Sequence, residues 1–375
     1  MCISTAIATT IRLGDPVPWF GARTLAGGAV DLHVDAGRGV VLAFADGIDD
    51  PRAMRELAPL LAAAAACDED RTVIHVVLGT PPTAQALSQI ARPGLTVLAD
   101  QDGAIARLYG AQGAPRTIVL DPMLRAVANI AWDHAGGHAE TLAALLGSLP
   151  AVDQSCGVPL TAPALIVPRV LDFPLCDLLV RLYDQLGGED SGFLLDQNGK
   201  TATVIDHRLK RRQDLLIAVP ELRDTIRDQI VRRLLPMIER YFQFAATRMD
   251  RYLVSCYDSA LGGHFTRHRD NLNAGAQHRR FAVSINLNGG YDGCDLMFPE
   301  FGRRAYRAPV GGAVVFSTGA LHEVTPIRSG RRYAFLPFLY GERDAALRQA
   351  NNARLEASAT RYAADDHDRL LPASA

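Results

Sequence analysis

Three residues in the second half of the chain have types and spacings that could bind a metal ion. His268 and Asp270 lie two positions apart, so on a strand their side chains would point to the same side. His322 follows 54 residues after His268, a separation that suits a strand returning across a barrel. Two imidazoles and one carboxylate hold one face of a six-coordinate Fe(II) and leave the other face open. The spacing therefore predicts a metal site formed by these three residues.

An arginine ten residues beyond the second histidine could bind an acidic ligand beside that metal. The guanidinium of Arg332 can grip a carboxylate with two parallel hydrogen bonds. The neighbouring Arg331 is the alternative, but adjacent residues of a strand face opposite sides. The spacing from His322 favours Arg332.

The histidines also have other interpretations. His268 and Asp270 could belong to a capped turn, with His322 a partly buried polar residue, although Arg332 and the surrounding strand pattern argue independently for a site. His264 and His268 have the i, i+4 spacing of a helical zinc pair. Two glycines precede His264 and no glutamate lies between the histidines, so a pocket wall or a surface position is favoured for His264.

The segments around these residues read as short strands separated by glycine and proline. They are residues 281–288, 294–301, 312–317 and 332–340. Such a series predicts a closed or sandwiched antiparallel β fold, with the metal ligands near strand ends at one mouth of the barrel.

The motifs of this region resemble one enzyme family. CYDSALGGHFTRHRDN, DGCDLMFPEFG and HEVTPIRSGRRYAFLPFLYG are similar to the prolyl-4-hydroxylase-like branch of the Fe(II)/2-oxoglutarate dioxygenases, over about residues 160–342. The resemblance implies an α+β double-stranded β-helix (jelly-roll) domain. It also implies iron bound by His268, Asp270 and His322, and the C5 carboxylate of 2-oxoglutarate bound by Arg332.

The resemblance bears on the chemistry as well. Tyr257 stands where the family often places a tyrosine in the cosubstrate pocket, and the alternative for it is a core aromatic. Related halogenating enzymes lack the carboxylate that Asp270 supplies, so hydroxylation is favoured, or a desaturation or ring closure that starts from the same hydrogen abstraction. The implied cofactors are Fe(II) and 2-oxoglutarate, with ascorbate as an accessory reductant.

The expected activity is hydroxylation of an unactivated C–H bond in a small-molecule or amino-acid-like substrate, with release of succinate and CO₂. The alternatives are a hydroxylase of a protein or peptide side chain, and a non-enzymatic two-domain scaffold or sensor. Substrate contacts are expected from residues 190–213 and 271–280. The basic run at residues 207–213 is interpreted as a solvated loop in preference to an anion-attracting one.

The first 150 residues predict a different domain. Apolar strand patterns alternate with helix patterns, which indicates an α/β sheet. The order resembles the thioredoxin fold, and the opening LGDPVPWFGARTLAGGAVDL is similar to the peroxiredoxin branch. By that resemblance Pro115 stands where such folds carry a cis proline.

This domain departs from the peroxiredoxin pattern where the chemistry would occur. By alignment on the first core strand, Asp46, Asp50 and Ala53 stand at the positions of the family's proline, threonine and peroxidatic cysteine. None of them can act as a thiolate nucleophile, and Cys67 is expected to be structural. We expect a non-catalytic module that is a structural appendage contributing stability, with homodimerisation or substrate presentation as the alternatives. A thiol peroxidase is disfavoured.

The remaining segments complete the expected organisation. It comprises a peroxiredoxin-like domain (1–150), a linker (151–163), a dioxygenase domain (164–345) and a C-terminal tail (346–375). Residues 165–250 should be mostly helical with an irregular centre, and Pro236 should kink or divide a helix. The tail should form one surface helix and then fray.

Composition is consistent with a cytoplasmic enzyme. The formal net charge of −2 gives no general attraction to nucleic acid or to membranes. No apolar run is long enough to span a bilayer and no secretory signal is evident. The six cysteines are scattered, which is typical of a reducing compartment.

Overall fold

A computed structural model describes most of the chain. The described residues are 11–66, 68, 71–132, 137–148, 160–197, 199–356, 362 and 368–370. They divide into two compact units, the first formed by the residues up to Ala162 together with Pro299–Arg303, and the second by the rest. Within these ranges no helix is both long enough and apolar enough to cross a membrane.

The first unit contains seven strands and four helices among its described residues. The strands are β1 (Gly21–Arg23), β2 (Ala29–Asp31), β3 (Gly39–Ala45), β4 (Thr72–Leu78), β5 (Leu95–Ala99), β6 (Arg116–Leu120) and β7 (Ala126–Ala131). The helices are α1 (Pro51–Ala66), α2 (Ala84–Ile90), α3 (Ala104–Leu108) and α4 (Gly137–Ser148). Five strands form one sheet in the order β5-β4-β3-β6-β7. β3, β4 and β5 run parallel, and β6 and β7 are antiparallel.

Both faces of this sheet are covered, which explains why β3 is buried along its whole length. Val41 of β3 packs in one cluster with Leu57 of α1 and Leu142 of α4. Phe44 packs on the ring of Tyr109 instead, with the ring centroids 5.3 Å apart. The alternation of strands and helices read from the sequence is confirmed, and the fold is thioredoxin-like.

The second unit has four helices among its described residues. They are α5 (Phe173–Leu186), α6 (Pro220–Arg233), α7 (Leu235–Phe242) and α8 (Glu342–Ala350). The Asp172 carboxylate caps α5 by accepting from the Leu175 amide at 3.0 Å. Pro236 lies in the first turn of α7, where backbone N–H groups have no partner within the helix, so its missing N–H costs no hydrogen bond. The predicted division of a helix at this proline is confirmed.

The strands of the second unit form two main sheets. They are β8 (Leu165–Val167), β9 (Glu189–Asp190), β10 (Phe193–Gln197), β11 (Lys200–Val204), β12 (Lys210–Arg211), β13 (Gln213–Leu216), β14 (Arg248–Asp250), β15 (Leu253–Asp258), β16 (His264–His268), β17 (Phe281–Asn286), β18 (Asp292–Gly293), β19 (Leu296–Met297), β20 (Ala305–Tyr306), β21 (Ala313–Ser317), β22 (His322–Val324), β23 (Ile327–Ser329), β24 (Arg331–Phe335) and β25 (Phe338–Tyr340). The major sheet has nine strands, in the order β14-β25-β17-β24-β15-β13-β9 with β21 and β8 added beside β17. The minor sheet has the order β12-β16-β22-β19-β20. Two antiparallel sheets of this kind form the expected jelly roll.

Alternation along the major sheet decides which side chains reach the interior of the roll. Val254 of β15, Val283 of β17 and Phe335 of β24 belong to the apolar cluster that packs with helices α5, α6 and α7. Residues of opposite parity, such as Tyr257 and Arg332, line a cavity in the roll. The helices therefore cover one face of the sheet and leave the other for a site.

The expectation of a mostly helical segment at residues 165–250 is wrong in its centre. Residues 193–204 form the β10–β11 hairpin, and β12 and β13 follow it. Thr201, Thr203 and Val204 are β-branched and favour strands, and Gly199 supplies the turn with a φ of +75°.

The expectation of a frayed tail is also wrong for the tail residues that the structure describes beyond α8. Leu370 packs in the core of the second unit. The Asp368 carboxylate accepts a 2.6 Å hydrogen bond from the buried Arg248. A buried guanidinium needs a charged partner, which ties this end of the chain to the roll.

The first unit differs from the sequence-based expectation at Pro115, and its Cys67 is not described. The peptide bond preceding Pro115 is trans, so the cis proline is wrong; no cis peptide occurs among the described residues. Cys67 lies outside the described residues.

Candidate metal centre

Two neighbouring strands of the minor sheet bring the predicted metal ligands together. His268 is the last residue of β16, His322 is the first residue of β22, and the two are register partners across the antiparallel pair. Asp270 lies just past the end of β16, in the turn that follows. Its amide donates to the Thr318 carbonyl at 2.9 Å, which fixes this turn beside the end of β21.

The three side chains converge on one point. His268 Nε2 lies 3.6 Å from one oxygen of Asp270, and His322 Nε2 lies 3.4 Å from the other. One ligand atom from each residue lies within 4.8 Å of the other two. His322 and Asp270 are the more buried members, at 5% and 13% side-chain exposure.

Backbone carbonyls orient both imidazoles. The Nδ1 atom of His268 lies 2.7 Å from the Thr266 carbonyl oxygen, and that of His322 lies 3.0 Å from the Ala320 carbonyl oxygen. A carbonyl only accepts, so Nδ1 carries the proton in both rings. The Nε2 lone pairs are therefore available to a metal on the side that faces Asp270.

Burial adjusts the protonation states of the centre in the direction that metal binding needs. Burial, and then the nearby His268, lowers the pKa of His322 to about 4. Burial alone would raise the pKa of the Asp270 carboxyl, but His322 and His268 hold it well below its usual range. At neutral pH His322 is thus a neutral imidazole and Asp270 is a carboxylate, the forms that bind a metal ion.

Aromatic rings enclose the two histidines. Phe265 stacks on His268 with the ring centroids 3.5 Å apart, and Phe316 meets His322 edge-on at 4.6 Å. These rings restrict the rotation of the imidazoles and exclude water from their outer faces.

The predicted anion clamp lies in the cavity that also contains the metal ligands. Arg332 is 5% exposed and forms no ion pair with a carboxylate of the described residues. Its Nη2 donates to Ser284 Oγ at 2.8 Å, and its Nε has no hydrogen-bond partner. Tyr257 is 1% exposed, and its ring lies 5.7 Å from the Arg332 guanidinium carbon. A buried, unpaired guanidinium is costly unless an anion binds to it.

Two competing assignments are not supported by the geometry. Arg331 is exposed and donates from Nε to Asp258 at 2.7 Å, on the opposite side of β24 from Arg332. His264 is on a strand, and both of its ring nitrogens lie within 3.1 Å of backbone carbonyl oxygens, those of Gly262 and Arg208. The helical zinc pair is therefore excluded.

The cavity contains three further cations that the sequence analysis did not place there. They are Lys210, Arg212 and Arg251. The interpretation of residues 207–213 as a solvated loop is wrong for Lys210 and Arg212, which are 5% and 7% exposed. The alternation of buried Lys210, exposed Arg211 and buried Arg212 is a strand pattern. It is hidden in the sequence because all three residues are basic.

A family model matches the unit that carries this centre. Residues 252–340 match the model of the 2OG-Fe(II) oxygenase superfamily. These residues are a 2OG-Fe(II) oxygenase domain. Residues 13–127 match the model of the AhpC/TSA family, so the chain joins an AhpC/TSA domain to an oxygenase domain.

Individual proteins show the oxygenase likeness. A PKHD-type hydroxylase of Hyphomonas neptunium is 28% identical over 162 residues, which are 40% of this chain and 68% of that protein. PKHD-type hydroxylases of two Synechococcus strains are 29% identical and are matched over 45% of their length.

Solved structures are more distant in sequence. A Trichoplax adhaerens prolyl hydroxylase in complex with a hypoxia inducible factor peptide fragment is 20% identical, with a TM-score of 0.40, over 52% of this chain and 90% of that one. Peroxidoxin BcpB of Mycobacterium tuberculosis is 22% identical, with a TM-score of 0.33, over 37% of this chain and 99% of that one.

The cofactors of the oxygenase domain are Fe(II) and 2-oxoglutarate, and the centre fits both. Two imidazole nitrogens and one carboxylate oxygen are the donor set of non-haem Fe(II) oxygenases. The unpaired Nε of Arg332 offers a hydrogen bond to a carboxylate in the same cavity. Thiolate chemistry has no donor here, because no cysteine is among the described residues that line the cavity.

The AhpC/TSA domain lacks a nucleophile where the sequence alignment expects one. Ala53 occupies the first turn of α1 and is buried. The cysteines that the structure describes are Cys176, Cys256 and Cys294, all buried in the second unit.

Proposed function

We propose that the chain is an Fe(II)- and 2-oxoglutarate-dependent hydroxylase that acts on an unactivated C–H bond of a small-molecule or amino-acid-like substrate. The supporting observation is that the His268, Asp270 and His322 ligand atoms share one cavity with the buried, unpaired Arg332. The substrate would enter beside the open face of the metal.

Each residue of the centre has a distinct task in this proposal. His268, Asp270 and His322 hold the iron by one face. Arg332 holds the far carboxylate of 2-oxoglutarate, and Tyr257 forms the adjacent wall of the cosubstrate pocket. Bound iron and 2-oxoglutarate supply the oxidising chemistry, in which one atom of O₂ enters the C–H bond and the other enters succinate, with loss of CO₂.

The protein contributes orientation and protection from water. Ser284 holds the Arg332 guanidinium by accepting from Nη2, so that Nε stays free for the cosubstrate. Phe265 and Phe316 shield the imidazoles. Reacting groups held in a dry, prearranged cavity lose less free energy to reorganisation during turnover.

A second candidate is hydroxylation of a protein or peptide side chain. Apolar side chains are exposed on and beside the β10–β11 hairpin, among them Leu195, Ile205 and Leu209. Exposed apolar side chains suit a peptide chain better than a small polar molecule. The PKHD-type and prolyl hydroxylase likenesses fit this candidate at least as well.

Mass spectrometry with ¹⁸O₂ tests the proposal. The purified protein is incubated with Fe(II), 2-oxoglutarate and separate pools of amino acids, small organic acids and proline-containing peptides. The expected result is one labelled oxygen in a small molecule together with stoichiometric succinate. Labelling of peptides alone would select the second candidate, and absence of any succinate would contradict both.

A further inference from the structure

Lys210, Arg212 and Arg251 form a cation group in the oxygenase cavity that the iron and 2-oxoglutarate roles do not use. We propose that this basic cluster is a carboxylate-binding subsite, so that the substrate of the enzyme is an organic acid. This inference rests on the proposed oxygenase function and names the substrate class of that same site.

Two of the three cations share a single carboxylate. Arg212 Nη2 donates to Asp214 Oδ2 at 2.7 Å, and the nearest Arg251 nitrogen lies 3.9 Å from the same oxygen. The other oxygen of Asp214 accepts from Ser255 at 2.6 Å. One carboxylate therefore balances one of three buried or half-buried positive charges.

Each cation keeps hydrogen-bonding capacity that no described residue uses. Lys210 Nζ donates to Ser191 Oγ at 2.7 Å and to the Gly192 carbonyl at 2.6 Å, which leaves its third N–H. Arg212 is 93% buried, and its Nε has no partner. Such buried, unpaired donors are rare in folded proteins and call for a ligand.

Arg251 is held towards the cavity at a conformational cost. Its φ is +66°, which is unfavourable for a residue with a side chain. Its guanidinium lies over the Phe338 ring at 4.9 Å and makes no hydrogen bond to a described residue. Packing on the ring fixes the direction of the charge while its N–H groups remain available.

The charge balance of the cavity points to an anionic substrate. The cations Lys210, Arg212, Arg251 and Arg332 face Asp270 in the wall and Asp214 behind it. The third nearby carboxylate, Asp250, is shared with two further cations, Arg279 and Arg348. Iron and 2-oxoglutarate carry opposite charges of equal size, so their binding leaves the excess of positive charge in place. Burial, and then the neighbouring Arg212, lowers the pKa of Lys210, which is the response of an ammonium group that lacks its counter-ion.

Paired acids and amides test the subsite. Under anaerobic conditions with saturating Fe(II) and 2-oxoglutarate, calorimetric titration compares small carboxylic acids with their carboxamides, for example L-proline with L-prolinamide, glycine with glycinamide, and benzoate with benzamide. The proposal expects at least one acid to bind about ten- to a hundred-fold more tightly than its amide, the value of one charge-assisted hydrogen bond.

Variants then assign the preference to the cluster. Arg251→Met and Lys210→Met should each remove most of the preference for the acid, while 2-oxoglutarate still binds. Two variants are used because either site could affect folding, which a thermal melt reports. Arg211→Met is the matched control, since Arg211 is exposed between two buried cations and should change nothing.

The possible results distinguish an error in the proposed subsite from an error in the proposed oxygenase function. If the wild type binds Fe(II) and 2-oxoglutarate but no acid of the panel in preference to its amide, the subsite is wrong and the oxygenase function stands. If both variants are folded and still bind the acid more tightly than its amide, Arg251 and Lys210 do not form the subsite and the inference is wrong. Failure of the wild type to bind Fe(II) and 2-oxoglutarate contradicts the proposed function itself.

Discussion

Tyr257 and Arg332 are register partners on the neighbouring antiparallel strands β15 and β24, and both side chains line the cavity. Residues directly opposite each other in an antiparallel pair point to the same face. The next pair along, Asp258 and Arg331, points the other way and forms an exposed ion pair. One step of register thus separates a buried clamp from a surface salt bridge.

The Arg332→Lys variant should bind 2-oxoglutarate about ten- to a hundred-fold more weakly, with iron binding near normal. A guanidinium matches a carboxylate with two hydrogen bonds, whereas an ammonium offers a point charge. The loss of one charge-assisted hydrogen bond costs about 1.5–3 kcal/mol. Anaerobic titration of the Fe(II) protein with 2-oxoglutarate measures the effect.

Arg331→Lys is the internal control for this experiment. Arg331 is 58% exposed and pairs with Asp258, so its replacement should leave the 2-oxoglutarate affinity within about two-fold, because exposed ion pairs contribute little. If Arg331→Lys weakens 2-oxoglutarate binding and Arg332→Lys does not, then Arg331 is the residue that binds the carboxylate, and the assignment to Arg332 is wrong.

The Asp270→Ala variant should abolish hydroxylation and release no succinate. It removes the only carboxylate of the predicted ligand set and frees a coordination position that a halide could take. Iron affinity should fall by at least about 100-fold, because loss of even an outer-sphere partner costs about 10–100-fold. Iron content after gel filtration and succinate release check this, and full activity would show that Asp270 does not bind the metal.

The AhpC/TSA domain should show no thiol-dependent peroxidase activity. Ala53 stands where the alignment places the peroxidatic cysteine, and alanine cannot form a thiolate. The measurement is peroxide consumption with dithiothreitol or thioredoxin as reductant. Consumption that disappears in Cys67→Ser would show that the alignment of this loop is wrong.

The candidate metal ligands could be proposed from the sequence because their residue types and spacings form a recognisable pattern. His268 and Asp270 lie two positions apart, and His322 is the first residue of a strand. Arg332 was distinguishable from Arg331 because strand parity depends only on position along the chain. The helices and strands of the first unit were readable for a similar reason, since their apolar periods are regular.

The basic cluster was not readable because its members become neighbours only through sheet assembly. Lys210 is buried because β12 adds to the edge of the minor sheet beside β16. Arg251 lies 41 residues beyond Lys210, at a single position with a left-handed backbone conformation and no sequence motif. A run of basic residues looks the same in sequence whether it is solvated or buried, so burial had to come from the structure.

The central claim is that His268, Asp270 and His322 hold Fe(II) in a site that also binds 2-oxoglutarate. The most direct measurement is the visible spectrum of the anaerobic protein with Fe(II) after addition of 2-oxoglutarate, in the wild type and in His268→Ala and His322→Ala. The account predicts a weak charge-transfer band in the wild type, and no band and no retained iron in either variant. Absence of the band in iron-loaded wild-type protein, or an undiminished band in His322→Ala, would contradict it.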